Sequence, residues 1–266
     1  MNSSDDSVAF AESVAGVVDR VAPSELTAAL DDIGWPTLAQ DPDLVACTGL
    51  SAVELGRRHA PLHQVDRLLG GSPMAGDLVR SLGPERMVLM IENGRVVRRS
   101  ALRCEELSSA AGLEVHRVLK LGEAAPVHTD EWQTATIAWI AASVGYLAGL
   151  GQGALDPTVD YVRRRRAFGS TLAALAPVQQ LLAGAATAVR GVLLLADSLP
   201  DSDALAYAGP AVADSCAACH QVTGAIGFTL EYPLHRFTQR ARATATWNDA
   251  LLEWMLKAPV SPDPSG

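Results

Sequence analysis

Between Leu175 and Leu195 the chain is apolar on nearly every face that a helix would present. A helix of that kind has no stable place alone at a protein surface, so it must lie inside a bundle or against another chain. The neighbouring segments supply the rest of a bundle. Thr129-Asp130-Glu131 caps a run to Gly151, Asp156-Pro157 opens the next helix, Pro200 to Ala204 starts another, and Arg240 to Leu256 forms the last. Four or five helices with short connections are expected here, with the fully apolar member facing a partner subunit. Leu, Ala and Val dominate and aromatic residues reach only 5%, which agrees with a helix-rich fold.

The first third also reads as helical. Val8, Ala11, Val14, Ala15, Val18 and Val21 recur at helical spacing within 8–32. Pro23 breaks the run, Ser24 is placed to cap a helix from Glu25 to Ile33, and Gly34 ends it. Ser51 and Glu54 have the spacing of a capping box. Between Gly70 and His128 the strand candidates are Met87–Ile91, Val96-Val97 and Leu113–Leu121, with Glu92-Asn93-Gly94-Arg95 as a turn. Three or four short strands are expected. The implied divisions are an N-terminal helical segment over 1–70, a reduced β region over 71–128, a helical bundle over 129–257 and a disordered Pro/Ser-rich tail over 258–266. The fold class is therefore mainly α.

A formal charge of −9 argues against nucleic-acid binding, which needs clustered Lys and Arg. The N-terminus is polar and acidic, and the most apolar helical stretch, Ile137 to Leu150, reads as too short and Ala/Gly-rich to span a bilayer. A cytoplasmic protein without a membrane span is expected. Cys47, Cys104, Cys216 and Cys219 follow no disulfide spacing. Cys216-Ala217-Ala218-Cys219-His220 spells the c-type haem attachment pattern, but the same run fits a small-residue helix entering a glycine turn. No second Cys/His pair stands at zinc-ligand spacing, so no metal is expected.

Two stretches carry the chemistry. Tyr161–Gln180, YVRRRRAFGSTLAALAPVQQ, holds four successive arginines, an aromatic residue and a glycine, and it implies an anionic ligand. His220–Arg236, HQVTGAIGFTLEYPLHR, places the turn Gly224 to Phe228 before Glu231-Tyr232-Pro233. In order and separation the two resemble the C-terminal helical domain of flavin-dependent acyl-CoA dehydrogenases, with its Y-x-x-x-R-x-x-F-G and Q-x-x-G-G-x-G-F-x-x-E-Y-P wording. Gly34-Trp35 and the later Glu54-Leu55-Gly56-Arg57 resemble that family's N-terminal helices.

The resemblance implies a flavin, FAD, held mostly by a neighbouring subunit, with Arg165 at its pyrophosphate, Phe168 packed nearby, and Gln179, Gln221 and the Gly224 turn reaching it across the interface. Ala225 and Ala176 depart from the pattern, where a glycine and a glutamine are expected. The strand-rich domain that covers the flavin in that family has no counterpart in the wording of 71–128. The family's catalytic glutamate falls at one of two places. Here those places are Asn248, seventeen residues after Glu231, and Trp139, twenty-nine before Phe168. Neither residue accepts a proton, and loss of a general base costs about 10²–10⁴ in rate.

These features resemble the degenerate chain of heteromeric, α₂β₂ acyl-CoA dehydrogenases that process steroid side-chain CoA thioesters. The implied partner is a complete acyl-CoA dehydrogenase-like subunit and the implied substrate an acyl-CoA. Two alternatives stay open: a homomeric dehydrogenase using Asp249 as a displaced base, and a flavin-free helical scaffold.

Overall fold

The computed structural model describes residues 3–108 and 113–257. The tail assigned to 258–266 lies outside the described residues. Its axis is α5, Thr129–Arg164, a helix of 36 residues. Nearly every side chain from Ala141 to Leu155 is buried. On one side it meets α3 (Cys47–Arg57), and on the others α6 (Ala176–Ala196), α7 (Ser202–Thr223) and α8 (Leu234–Lys257). Helices α5 to α8 form the four-helix bundle, and the chain is mainly α.

The sequence expectation of two helices, broken at Asp156-Pro157, fails. Pro157 lies inside α5 without ending it. A proline within a helix costs about 3 kcal/mol through its missing N–H and its ring. Here helices pack around α5 on all sides, and that burial outweighs one lost bond. Asp156 instead pairs with Arg57 of α3 at 2.7 Å.

Before α5 come α1 (Ser3–Arg20), which packs on α3, then α2 (Leu26–Asp32), which touches α1, and the short α4 (His63–Asp66), which touches α5. Helices α3 and α5 approach until backbone meets backbone. A β-carbon on Gly145 would lie 2.0 Å from the Gly49 carbonyl oxygen, and one on Gly56 would lie 2.0 Å from that of Tyr146. One apolar core runs through both, from Val14 and Leu30 to Val212 and Leu251.

Several local expectations are corrected. Glu25, not Ser24, precedes α2, and it makes no side-chain cap. Ser51 and Glu54 lie within α3 rather than at its start, and Ser51 Oγ donates to the Cys47 carbonyl. His128 is the residue before α5, while Asp130 and Glu131 occupy its first turn, where carboxylates suit the helix dipole. Helix α8 begins six residues before Arg240. Asp201 does cap α7, its Oδ1 accepting the Ala204 N–H at 3.0 Å.

The strand region is larger than expected. Five strands, β1 (Ser72–Pro73), β2 (Leu78–Val79), β3 (Met87–Glu92), β4 (Arg95–Leu107) and β5 (Val115–Pro126), pair in the order β1-β3-β4-β5-β2. Only the β1–β3 pair is parallel. The Asn93-Gly94 turn joins β3 to β4 with φ of +50° and +75°, the left-handed pair that a tight hairpin requires. Met74, Val79, Val88, Ala101 and Val118 form the sheet's own small core.

Helices α5 and α6 both meet the length and apolarity of a bilayer span, contrary to the sequence expectation. Helix α5 is mostly buried as a core element. Helix α6 buries only Ala185, Val189, Val192 and Ala196, so most of its apolar surface faces outward.

Candidate functional site

Helix α5 stops two residues into the arginine run. Arg163 and Arg164 complete its last turn, and Arg165 turns into extended backbone while its N–H donates to the Tyr161 carbonyl at 2.8 Å. A miniature hairpin follows, β6 (Arg166–Ala167) and β7 (Ser170–Thr171), with Phe168 and Gly169 at its tip. Both tip residues have positive φ, +54° and +81°. Glycine takes that conformation freely, whereas for phenylalanine it is strained. The hairpin thus holds the Phe168 ring away from the protein, 92% exposed.

All four arginines are exposed, and no ion pair among the described residues reaches any of them. Gln179 is engaged locally, its Nε2 donating to the Ala173 carbonyl at 2.8 Å, which ties α6 to the turn before it.

The second motif comes to the same end of the bundle. Gly224 ends α7 with φ +64° and ψ −143°, a combination that belongs almost wholly to glycine. A β-carbon there would meet no atom within 4 Å. Gln221 is exposed beside it, as are Phe228 (71%) and Leu230 (84%). Tyr232 fastens this turn to α5: its hydroxyl donates to the Pro157 carbonyl at 2.8 Å, and its ring meets that of Tyr161 edge-on at 6.0 Å. A shallow cleft is lined by Pro157, Asp160, Tyr161, Arg164, Arg165 and Tyr232. The structure therefore brings Arg165 to the Glu-Tyr-Pro turn. No hydrogen bond or ring contact joins Phe168 to Gln221 or Gly224 among the described residues.

The haem-like pattern has a packing role. Cys216 and Cys219 are fully buried in α7, and burial pushes the Cys216 thiol up to about 12. His220 supports the glycine turn from below, its ring stacked on Phe228 at 4.5 Å and its Nε2 bonded to the Thr238 hydroxyl at 2.8 Å. Burial lowers its pKa and favours the neutral ring.

The two positions implied for a catalytic base converge on one sealed network. Asp66 and Arg80, neither singled out by the sequence, form an ion pair with both side chains 0% exposed. Arg80 Nε donates to Asp66 Oδ2 at 3.0 Å and Nη2 to Oδ1 at 2.6 Å. Trp139 Nε1 donates to the same carboxylate at 2.9 Å, and Arg80 Nη1 donates to Asn248 Oδ1. The guanidinium also lies 5.5 Å from the Trp139 ring centre. Where proton abstraction would need a free carboxylate open to substrate, this chain has a carboxylate fully engaged by two donors. Asp249, one step further along α8, has its side chain exposed to solvent and stands outside this network.

A further cleft of about 340 Å³ lies between the N-terminal helices, the sheet and the start of α5. Its arginines are already neutralised, Arg67 by Asp31 and Glu85 and Arg98 by Glu131.

Residues 132–248 match the family model described as the acyl-CoA dehydrogenase C-terminal domain. Acyl-CoA dehydrogenase FadE28 of Mycobacterium tuberculosis is 33% identical over 110 residues, 37% of this chain and 32% of that protein. Probable acyl-CoA dehydrogenase fadE25 of Mycobacterium bovis is 29% identical over 109 residues, 36% of this chain and 28% of that protein. The chain thus matches about a third of the length of these curated relatives.

Among solved structures, the Tcur3481-Tcur3483 steroid ACAD has a TM-score of 0.67 at 15% identity, covering 96% of this chain and 98% of that one. The ChsE4-ChsE5 complex from Mycobacterium tuberculosis has a TM-score of 0.65 at 15% identity, covering 99% of each chain. At such identity these likenesses establish the fold. Sequence match and fold agree over the helical half: residues 132–248 match an acyl-CoA dehydrogenase C-terminal domain, and the chain has the fold seen in acyl-CoA dehydrogenase structures.

Proposed function

We propose that this chain is the non-catalytic subunit of a heteromeric, FAD-dependent acyl-CoA dehydrogenase, contributing one edge of a flavin site to a complete partner subunit. The observation that carries this reading is the contrast between the chain's two candidate regions. Its ligand-holding edge is turned outward and unneutralised, while its base positions are sealed by the Asp66–Arg80 pair.

The residues present fit a dinucleotide approaching from outside. Arg165 has a guanidinium without an ion pair for a pyrophosphate, and the Gly224 turn leaves open the space that a β-carbon would occupy. Gln221 would donate a hydrogen bond, and Phe168 and Phe228 would cover apolar surface. Gln179 would first have to give up its bond to Ala173. A flavin held there would supply a hydride acceptor for the acyl chain, and the partner would supply the base. The outward apolar face of α6 would lie within the assembly. The names of two structural neighbours, a steroid ACAD and a two-chain complex, favour a two-chain assembly acting on a steroid acyl-CoA; an α₂β₂ arrangement in the cytoplasm is part of the same proposal.

The test is the visible spectrum of this chain purified alone and co-expressed with an acyl-CoA dehydrogenase-like chain encoded beside it. Flavin colour only in the co-expressed sample, lost in Arg165→Ala while the two chains still co-purify, is the expected result. Colour in the isolated chain that bleaches with an acyl-CoA would overturn the reading in favour of a homomeric enzyme. A colourless but stable complex would make the chain a scaffold.

A further inference from the structure

Helices α5 and α8 meet along a seam that is polar although it is buried. Two observed contacts bracket it. At one end Trp139 of α5 and Asn248 of α8 are joined through Asp66 and Arg80. At the other, Arg240 of α8 donates through Nη1 to the Tyr146 hydroxyl at 3.1 Å. Residue numbers rise along α5 as they fall along α8 between these contacts, so the helices run antiparallel and in a fixed register.

Ser143 stands four residues after Trp139, and Thr244 stands four before Asn248. Each therefore shares its neighbour's helix face and lies between the two contacts. Both are 0% exposed, and Asn248 is 1% exposed. Ser143 Oγ, Thr244 Oγ1 and Asn248 Nδ2 all have no hydrogen-bond partner in the protein. The Asn248 amide is not free to turn and relieve this. Its Oδ1 accepts from the Arg80 guanidinium, and a flipped amide would set N–H against N–H, so Nδ2 must donate into the seam.

Three buried, unpartnered polar atoms placed on two helices between the same two contacts match the demands of one buried water, which takes two to four polar partners. We propose that a single internal water bridges α5 and α8 here, accepting from Asn248 Nδ2 and exchanging hydrogen bonds with the Ser143 and Thr244 hydroxyls. It continues the ion-pair network inward, so that the region between Trp139 and Tyr146 is a structural joint held by polar contacts.

The sign of one substitution tests this in the full chain. With the water present, Thr244→Val removes one of its partners and lowers the melting temperature by roughly 2–4 °C for a chain of this size. If the hydroxyl is dry and unpartnered, the near-isosteric methyl relieves a desolvation penalty, and the melting temperature rises or stays level. Either of those outcomes overturns the proposal. Crystallographic density of the unaltered protein gives a second decision: a peak within about 3.2 Å of all three atoms is expected. A direct Ser143–Thr244 hydrogen bond with no peak between them would refute it.

Discussion

Replacing Arg80 with methionine probes the buried network that occupies both implied base positions. The substitution keeps much of the side chain's length and removes its charge. Asp66, 0% exposed in the parent, is left with Trp139 Nε1 as its surviving donor in the network, while Asn248 loses the donor to its Oδ1. Breaking a buried pair from one side costs about 3–5 kcal/mol, because the remaining charge is uncompensated. Against a total stability of about 5–15 kcal/mol that is a large share. It corresponds to a fall of roughly 6–20 °C in melting temperature for a chain of this size. Urea unfolding followed by far-ultraviolet circular dichroism measures the loss. The double substitution Asp66→Leu with Arg80→Met removes both charges, and should cost less than the sum of the two single changes. A loss of under about 1 kcal/mol for Arg80→Met, with the double variant equal to that sum, would show that the pair is solvated and the seal imaginary.

Asn248→Glu restores a carboxylate at one implied base position, but it places that carboxylate beside Asp66 on a single shared guanidinium. It should lower the melting temperature and leave dehydrogenase turnover of the isolated chain at the parent's level, as measured with a dye acceptor and an acyl-CoA. Gly145→Ala drives a methyl to 2.0 Å from the Gly49 carbonyl oxygen and should cost at least the upper end of the ~1–3 kcal/mol typical of overpacking. Gly184→Ala, on a helix with nothing within 4 Å, should stabilise by about 0.4–1 kcal/mol in the same unfolding assay. His59 is held neutral, first by burial and then by the Arg240 cation, with its pKa lowered from 6.5 to about 4. The unfolded chain therefore takes up the proton first, and stability falls as pH drops from 6.5 towards 4. His59→Asn, which tolerates the φ of +56°, should make that acid limb shallower in melting temperatures recorded across the window.

What the sequence disclosed and what it hid divide along the range of the interactions. The Asn93-Gly94 hairpin, the Asp201 cap and the glycine turn at Gly224 depend on backbone conformation within a few residues, and their wording is enough to find them. The outward apolar face of α6 is equally legible, because composition alone requires a cover for it. Pro157 misleads, since the helix it should end is held by elements up to a hundred residues away. Ser51 misleads in the opposite sense. Its capping-box spacing is real, but α3 begins four residues earlier, and the hydroxyl turns back to the Cys47 carbonyl.

The sealed network is the limiting case. Arg80 joins partners 14 and 168 residues distant, so no local pattern marks it. Two places counted from separate motifs, Trp139 and Asn248, are far apart in the chain yet meet on the same ion pair. That convergence is what turns two missing carboxylates into a physical statement. An absent base on its own leaves open a displaced one such as Asp249. A buried cation that already engages Asn248 and the one carboxylate in the network leaves no free carboxylate at either implied position. On the proposed reading, dehydrogenation by an assembly containing this chain draws its base from the other subunit, and Asn248→Glu tests that division of labour.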